Sequence, residues 1–452
     1  MDVIEKNKLR MRKLAASNPQ LAEQVDALDW NELKTAVDEC IFREEQTGLP
    51  QTYGPASYFP LQPETPEQQL LYAEALEHGE GLIRDVKTAA FIVAGGQGTR
   101  LGYDGPKGTL GVSPVKGKPL FQLFAEQLLG ISKKYEVVIP WYVMCSPLNL
   151  AATIAHFEER EYYGLGKDNL KFFAQGVMPA TDFEGNLLLA NQDSLALSPN
   201  GHGGSLKALI DSGSIADMAE RGIEHVSYFQ VDNPLVSVIN PLLIGLHDLQ
   251  RSDMSSRSLT KTGPFEKLGN FVSVGDRVAI IEYSDLPEEK ALEKDDVGRI
   301  KYRAGSPAIH VLRRDFIEQF ASGEIKLPYH RAEKKVDCLN EAGETVTPEE
   351  PNAVKFETFV FDALPLAKNP LILEADRLEE FSPVKNMTGV DSLESSQTDQ
   401  VKRAKRWLAN AGHAVKEEAI VEICPGAFPS DRDLLGANLE KYDLESDLVY
   451  IG

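Results

Sequence analysis

The apolar and polar positions change rhythm along this chain. Over residues 1–85, Leu and Ala recur among charges, as in Leu21-Ala-Glu-Gln-Val-Asp-Ala-Leu28 and Leu70-Leu-Tyr-Ala-Glu-Ala-Leu76, the spacing of amphipathic helices. A Pro- and Gln-rich segment from Gly48 to Pro66 interrupts them. From Thr88 onward, short apolar runs alternate with helical patterns. Ala89–Val93, Val137–Met144 and Val226–Val231 read as buried strands, and Leu120–Ser132 and Leu148–Glu159 as helices. That alternation implies βαβ units and a parallel sheet. Asp285–Arg299, rich in Glu, Lys and Asp, reads as an exposed excursion. The polar, Ser-rich Thr388–Gln400 reads as a linker. Beyond it, Val401–Leu408 looks helical and Ala419–Cys424 looks like a strand. The expected architecture is therefore a helical N-terminal region (1–85), an α/β domain (86–390) and a small C-terminal unit (391–452).

The strand ending at Val93 runs into Ala94-Gly-Gly-Gln-Gly-Thr-Arg-Leu-Gly102. A glycine-rich turn directly after a buried strand lets backbone N–H groups approach an anionic or planar ligand with no Cβ in the way. Arg100 adds a permanent charge whose planar fork matches phosphate oxygens, and Lys107, in Pro106-Lys-Gly108, adds a second cation. The spacing excludes two familiar cradles. G-x-G-x-x-G fails because Leu101 stands where the third glycine belongs. G-x-x-x-x-G-K-[ST] fails because Lys107 lies between proline and glycine.

Composition narrows the field. At 452 residues and 42% hydrophobic content, the chain needs two or three structural units. No stretch approaches the ~18 apolar residues of a membrane span, and Met1-Asp-Val-Ile-Glu-Lys6 has no signal-peptide core, so a cytoplasmic location is expected. Cys40, Cys145, Cys338 and Cys424 form no C-x-x-C pair, which indicates reduced thiols rather than zinc or disulfides. A net charge of −22 argues against nucleic-acid binding. A chain so acidic must gather cations locally to hold a phosphate ligand, which singles out Arg100, Lys107 and Lys385.

The turn and its Pro-Lys-Gly sequel resemble the signature of the eukaryotic-type UDP-sugar pyrophosphorylase family, above all its UDP-N-acetylhexosamine members. Gln175-Gly-Val-Met-Pro-Ala180, Ser198-Pro-Asn-Gly-His-Gly-Gly204, Val231-Asp-Asn233, Glu282-Tyr-Ser284, Lys355-Phe-Glu-Thr-Phe-Val-Phe-Asp362 and Phe381-Ser-Pro-Val-Lys-Asn386 follow in the family's order. The resemblance covers residues 66–390. It implies a Rossmann-like nucleotidyltransferase fold with a mixed, mostly parallel sheet, transfer of a uridylyl group from UTP to a sugar 1-phosphate, and Mg²⁺ as cofactor.

By this resemblance, the backbone of Ala94, Gly95, Gly96 and Gly98 contacts the nucleotide, Gln175 and Gly201 read the uracil, and Arg100, Lys107 and Lys385 hold phosphates. Asp232 follows the apolar run Val226–Val231, at the end of a parallel strand where ligands bind. It suits Mg²⁺, which combines one or two carboxylates with phosphate oxygens; its other reading is a cap on the turn through Asn233 and Pro234. Gly269, Glu282, Phe359 and Phe361 match the sugar pocket, although an alternating Phe359 and Phe361 is also what a half-buried strand shows. Two positions depart from the N-acetylhexosamine pattern. His202 stands where those enzymes have asparagine and implies a phosphate or sugar contact, and Ser306 replaces a sugar-gripping asparagine. The expected product is UDP-N-acetylglucosamine, with UDP-glucose or a wider range of sugars as the alternative. A non-catalytic sugar-nucleotide-binding regulator is the reading from another class, and the oligomeric state is left open.

Overall fold

The computed structural model describes residues 2–43, 49–340 and 342–452, so Met1 and Gly48 lie outside it. The chain forms two compact units. The smaller contains Met1–Pro50, Gln175–Ala208 and Gly323–Ala363, and the larger contains Gln51–Ala174, Leu209–Ser322 and Leu364–Gly452.

The larger unit is built on a mixed sheet of eleven strands among the described residues. Thr88–Val93 lies parallel to Trp141–Cys145 on one side and to His225–Gln230 on the other, and Trp141–Cys145 is parallel to Leu170–Ala174. His310–Arg313 then pairs antiparallel with both His225–Gln230 and Met254–Thr260, which itself lies parallel to Leu371–Ala375. The strands of the parallel half are apolar on both faces because both faces are covered. Ala90, Ile92, Trp141, Val143 and Phe229 share a core with the helices Pro66–Arg84, Leu120–Tyr135 and Pro241–Leu249. On the opposite face Phe91 stacks on Phe173 and meets Tyr228 edge-on. The helix Pro66–Arg84 approaches Pro241–Leu249 closely because a Cβ at Gly79 would fall 1.9 Å from the Pro241 carbonyl oxygen.

Two local readings need correction. The strand expected over Val137–Met144 occupies Trp141–Cys145. Glu136 ends the preceding helix in a left-handed conformation (φ 57°) and the Val137 N–H is spent on the Ser132 carbonyl, so those residues close a helix. The linker expected at Thr388–Gln400 becomes helix from Leu393 to Asn410. Ser392 and Ser395 form a reciprocal capping box at its start, and Ser396 is buried with its hydroxyl on the Ser382 carbonyl. Serines that look like linker composition therefore start a helix and anchor it. This helix packs with the parallel pair Ile420–Ile423 and Leu448–Ile451 around Leu408, Val421, Leu434 and Ile451.

In the smaller unit, Val3–Ala15, Pro19–Asp26 and Trp30–Val37 turn Ile4, Met11, Leu21, Val25 and Leu33 onto Met178, Leu187, Leu195, Val354 and Phe356. The amphipathic N-terminal helices thus find their apolar partners in two distant stretches of sequence. Pro66–Arg84, helical as expected, belongs to the larger unit.

Candidate functional site

The glycine-rich turn leaves the C-terminal end of Thr88–Val93. Its shape is held from within. The Lys107 N–H bonds the Gly96 carbonyl at 3.0 Å, and the Gly98 N–H bonds the Gly105 carbonyl at 3.0 Å. A Cβ at Gly98 would meet the Tyr103 side chain at 2.7 Å, so only glycine admits that ring. Asn149, buried at the start of the helix Leu150–Glu158, donates from Nδ2 to the carbonyls of Ala94 (3.2 Å) and Gly96 (3.4 Å). Asn149 makes no side-chain cap on that helix, and its amide braces the turn.

Four charged residues gather at this edge. Arg100 is exposed. Lys107 is half-buried, and its ammonium is held below the usual lysine range by burial; the Asp232 carboxylate pulls it back up, while Lys385 and Arg100 push it down. Asp232 follows His225–Gln230, and its carbonyl accepts the Val384 N–H at 2.8 Å, which ties the Lys385 segment to the strand end. Turn capping falls to the next residue. Asn233 Oδ1 accepts from the N–H groups of Leu235 and Ser382, and its Nδ2 donates to the Glu380 carbonyl. With Asn233 doing that, the Asp232 carboxylate is directed to cations, 3.7 Å from Lys385 Nζ.

A second group lies in the same unit, on strands beside the C-terminal half of Met254–Thr260. Gly269 pairs with Ser306 across antiparallel strands, and a Cβ at Gly269 would stand 3.5 Å from Glu282 Oε1. Gly269, Glu282 and Ser306 are therefore neighbours, although they are far apart in sequence.

Gln175, Gly201, His202, Phe359 and Phe361 belong to the smaller unit. Gly201 has φ +79° and its missing Cβ would fall 2.4 Å from the Thr358 carbonyl oxygen, so both conformation and space demand glycine. The Gly203 N–H donates to that carbonyl and the Thr358 N–H to the Asn200 carbonyl. These bonds correct the strand reading of the phenylalanines. The strand is Ala353–Glu357, and Phe361 lies in a 3₁₀ turn, Val360–Leu366, because the backbone from Thr358 bonds the 200–203 loop rather than a neighbouring strand.

His202 stacks on Phe359 (5.2 Å between centroids) and leans on Phe361 (5.6 Å). Its Nδ1 accepts the Val360 N–H at 3.1 Å, which leaves the proton on Nε2. Burial, with His330 nearby, pushes its pKa down to about 4. A neutral imidazole offers a phosphate no charge, so the contact this geometry supports is a single N–H donor. The His330 ring lies 4.5 Å from Phe359, and its Nε2 bonds Asp362 Oδ2 at 2.7 Å. His330 lies outside every motif of the sequence. A histidine far from the glycine tract carries no local sign that it completes an aromatic stack.

A glycine-rich turn at the end of a buried parallel strand, with three cations and a carboxylate converging on it, defines a nucleotidyltransferase of the mixed α/β kind. The chain belongs to the UTP–glucose-1-phosphate uridylyltransferase family, whose profile matches residues 60–431. It is 36% identical over 384 residues to the UDP-N-acetylglucosamine pyrophosphorylase of Saccharomyces cerevisiae, covering 82% of this chain and 77% of that one. It is 35% identical over 364 residues to UDP-N-acetylglucosamine diphosphorylase 1 of Arabidopsis thaliana, covering 76% and 70%. Among solved structures, one from Entamoeba histolytica described as a candidate UDP-N-acetylglucosamine pyrophosphorylase superposes with a TM-score of 0.77 at 31% identity, over 88% of this chain and 99% of the other. Among the described residues, no helix is long and apolar enough to cross a membrane.

Proposed function

We propose that this protein transfers the uridylyl group of UTP to N-acetylglucosamine 1-phosphate, releasing pyrophosphate. The observation that carries the reading is the convergence of Arg100, Lys107, Lys385 and Asp232 on the turn after Thr88–Val93. A sugar-phosphate oxygen attacks the α-phosphorus in line, the new P–O bond forms, and the bond to the β-phosphate oxygen breaks with its electron pair leaving on pyrophosphate. No covalent protein intermediate is needed, so the protein's task is orientation and neutralisation of charge. Lys107, Lys385 and Arg100 serve as the cations that meet the charge developing on the leaving group. Gln175 and Gly201 are assigned to the uracil, and His202, Gly269, Glu282, Ser306, Phe359 and Phe361 to the sugar 1-phosphate.

Magnesium belongs to the same proposal. Among the described residues, no group of three or more His, Cys, Asp or Glu is arranged to hold a metal, so an all-protein cage is not on offer. One largely buried carboxylate, Asp232, facing a phosphate site is nevertheless the donor set that Mg²⁺ completes with phosphate oxygens and water. When bound, the ion would neutralise charge on the phosphates. A cytoplasmic location is also proposed, supported by the lack of any disulfide among the described cysteines.

The choice of N-acetylglucosamine over glucose draws on the names of the relatives and on the absence of a side chain at Gly269, beside Glu282. His202 and Ser306 favour the alternative, glucose 1-phosphate or a wider set. The deciding test is pyrophosphate release from UTP across a panel of sugar 1-phosphates. Turnover of N-acetylglucosamine 1-phosphate above the others supports the proposal, preference for glucose 1-phosphate moves it to the alternative, and no release with any sugar leaves the sugar-nucleotide-binding regulator.

A further inference from the structure

The C-terminal residues reach three segments that carry the candidate site, all within the larger unit. Glu422, on the strand Ile420–Ile423, is buried, and its Oε2 accepts two backbone N–H groups, from Val115 (2.9 Å) and Lys116 (2.8 Å). Those amides form the tip of a hairpin that begins where the Lys107 turn ends, closed by the Val112 and Ser113 N–H groups on the Lys118 carbonyl. Gln400, on the C-terminal helix, donates to the Val112 carbonyl. Lys118 Nζ bonds both Glu126 and the Tyr450 hydroxyl at 2.8 Å. The same helix holds the segment before Lys385, since the Ser382 hydroxyl donates to Asp399 and the Ser396 hydroxyl to the Ser382 carbonyl. Arg403 Nη1 donates to the carbonyls of Leu235, just after Asp232, and of Glu379.

Lys107 and Lys385 are in a short 3₁₀ turn and in irregular chain, not in the sheet. Such segments keep a precise geometry only when something rigid fixes them. We propose that the C-terminal unit is a positioning clamp for uridylyl transfer, with Glu422 fixing the hairpin behind Lys107 and Asp399 fixing the segment that carries Lys385. The clamp rests on the function proposed above. Glu422 and Asp399 touch no substrate and act through the backbone they hold.

The test combines kinetics with amide hydrogen exchange on the full chain. In Glu422→Ala, kcat falls about 10- to 100-fold, the cost of misplacing a catalytic group by about 1 Å, while KM for UTP moves less than about 3-fold. Exchange quickens at Val115 and Lys116 and spreads to the Lys107 and Leu110 amides. Glu422→Gln keeps an acceptor for both N–H groups and restores most of the rate. A folded Glu422→Ala protein with wild-type kcat, or faster exchange confined to Val115 and Lys116, overturns the clamp. If Glu422→Ala does not fold, Asp399→Ala decides by the same criteria, read at the Val384 and Lys385 amides. A wild-type protein without uridylyl transfer defeats the proposed function alone, and the exchange measurements still decide the clamp.

Discussion

Lys385 Nζ stands 3.7 Å from Asp232 Oδ2, with the lysine side chain 42% exposed and the aspartate 13%. With the lysine side chain this exposed and the charges 3.7 Å apart, the pair contributes little to stability. Its consequence is local, because the Asp232 carboxylate opposes the effect of burial, Lys385 and Arg100 on the Lys107 ammonium. Asp232→Asn keeps the size but removes the charge. The expected result is a loss of about 100-fold or more in Mg²⁺-dependent turnover with the melting temperature nearly unchanged. Turnover and magnesium dependence equal to wild type would mean that the carboxylate serving the phosphates lies elsewhere.

Arg100→Ala and Lys107→Ala are each expected to lower kcat/KM by about 100-fold or more, the scale of one lost charged contact to the transition state. Both belong to the turn rather than the sheet, so circular dichroism should match wild type. Near-normal turnover in either variant would remove that residue from the phosphate clamp.

The lowered pKa of Lys107 sets a direction in pH. The ammonium form is needed to meet phosphate, and burial, reinforced by Lys385 and Arg100 and opposed by Asp232, makes it lose its proton below the usual lysine range. Activity is therefore present below that pKa and lost as pH rises through it, so kcat/KM, which reports the free enzyme, should decline earlier on the alkaline side than an ordinary lysine would give. Lys107→Arg keeps the cation to higher pH, and its profile should lose that early decline. An unchanged alkaline limb would assign the decline to another group.

Much of the candidate phosphate site is legible in the sequence because it is local. A buried strand followed by Gly95, Gly96 and Gly98, and a carboxylate at the end of Val226–Val231, each announce themselves within a dozen residues. What stays hidden is carried by long-range contacts. Residues 175–208 and 323–363 pack with the N-terminal helices, and no local pattern links segments so far apart. Ser392, Ser395 and Ser396 look like linker until the capping box and the Ser382 carbonyl account for them. Phe359 and Phe361 keep the alternation of a strand although the backbone at Thr358 bonds the 200–203 loop. Glu422 is one acidic residue in an apolar strand, and only the position of the 113–118 hairpin gives it a partner.

Acid should weaken the fold through buried histidines. Burial pushes His156, His202 and His225 down to about 4, whereas unfolded histidine titrates near 6.5. Between those values the unfolded chain takes up protons that the folded chain refuses. The contribution of these groups is thus complete above about pH 6.5 and declines as pH falls towards 4, by up to about 1.4 kcal/mol per pH unit for each fully buried group. Denaturant melts at pH 7 and pH 5 should show the loss, and a stability independent of pH over that range would mean that the imidazoles are solvated.

The proposed sugar preference is tested at Gly269, where a Cβ would stand 3.5 Å from Glu282 Oε1. An acyl group resting there gains contact area and one hydrogen bond, worth about 1–3 kcal/mol or ~10- to 200-fold in discrimination against glucose 1-phosphate. Any side chain at Gly269 also meets Ile280 Cγ2, which would lie 2.6 Å from the new Cβ, so Gly269→Val strains the strand pair whatever the substrate. That strain acts alike on both sugars, and the ratio of their kcat/KM values isolates the acyl contact. The ratio of N-acetylglucosamine 1-phosphate to glucose 1-phosphate should fall by about 10-fold or more in Gly269→Val. An unchanged ratio would show that the acyl group does not sit against Gly269, and a wild-type preference for glucose 1-phosphate would give the weight to His202 and Ser306 instead.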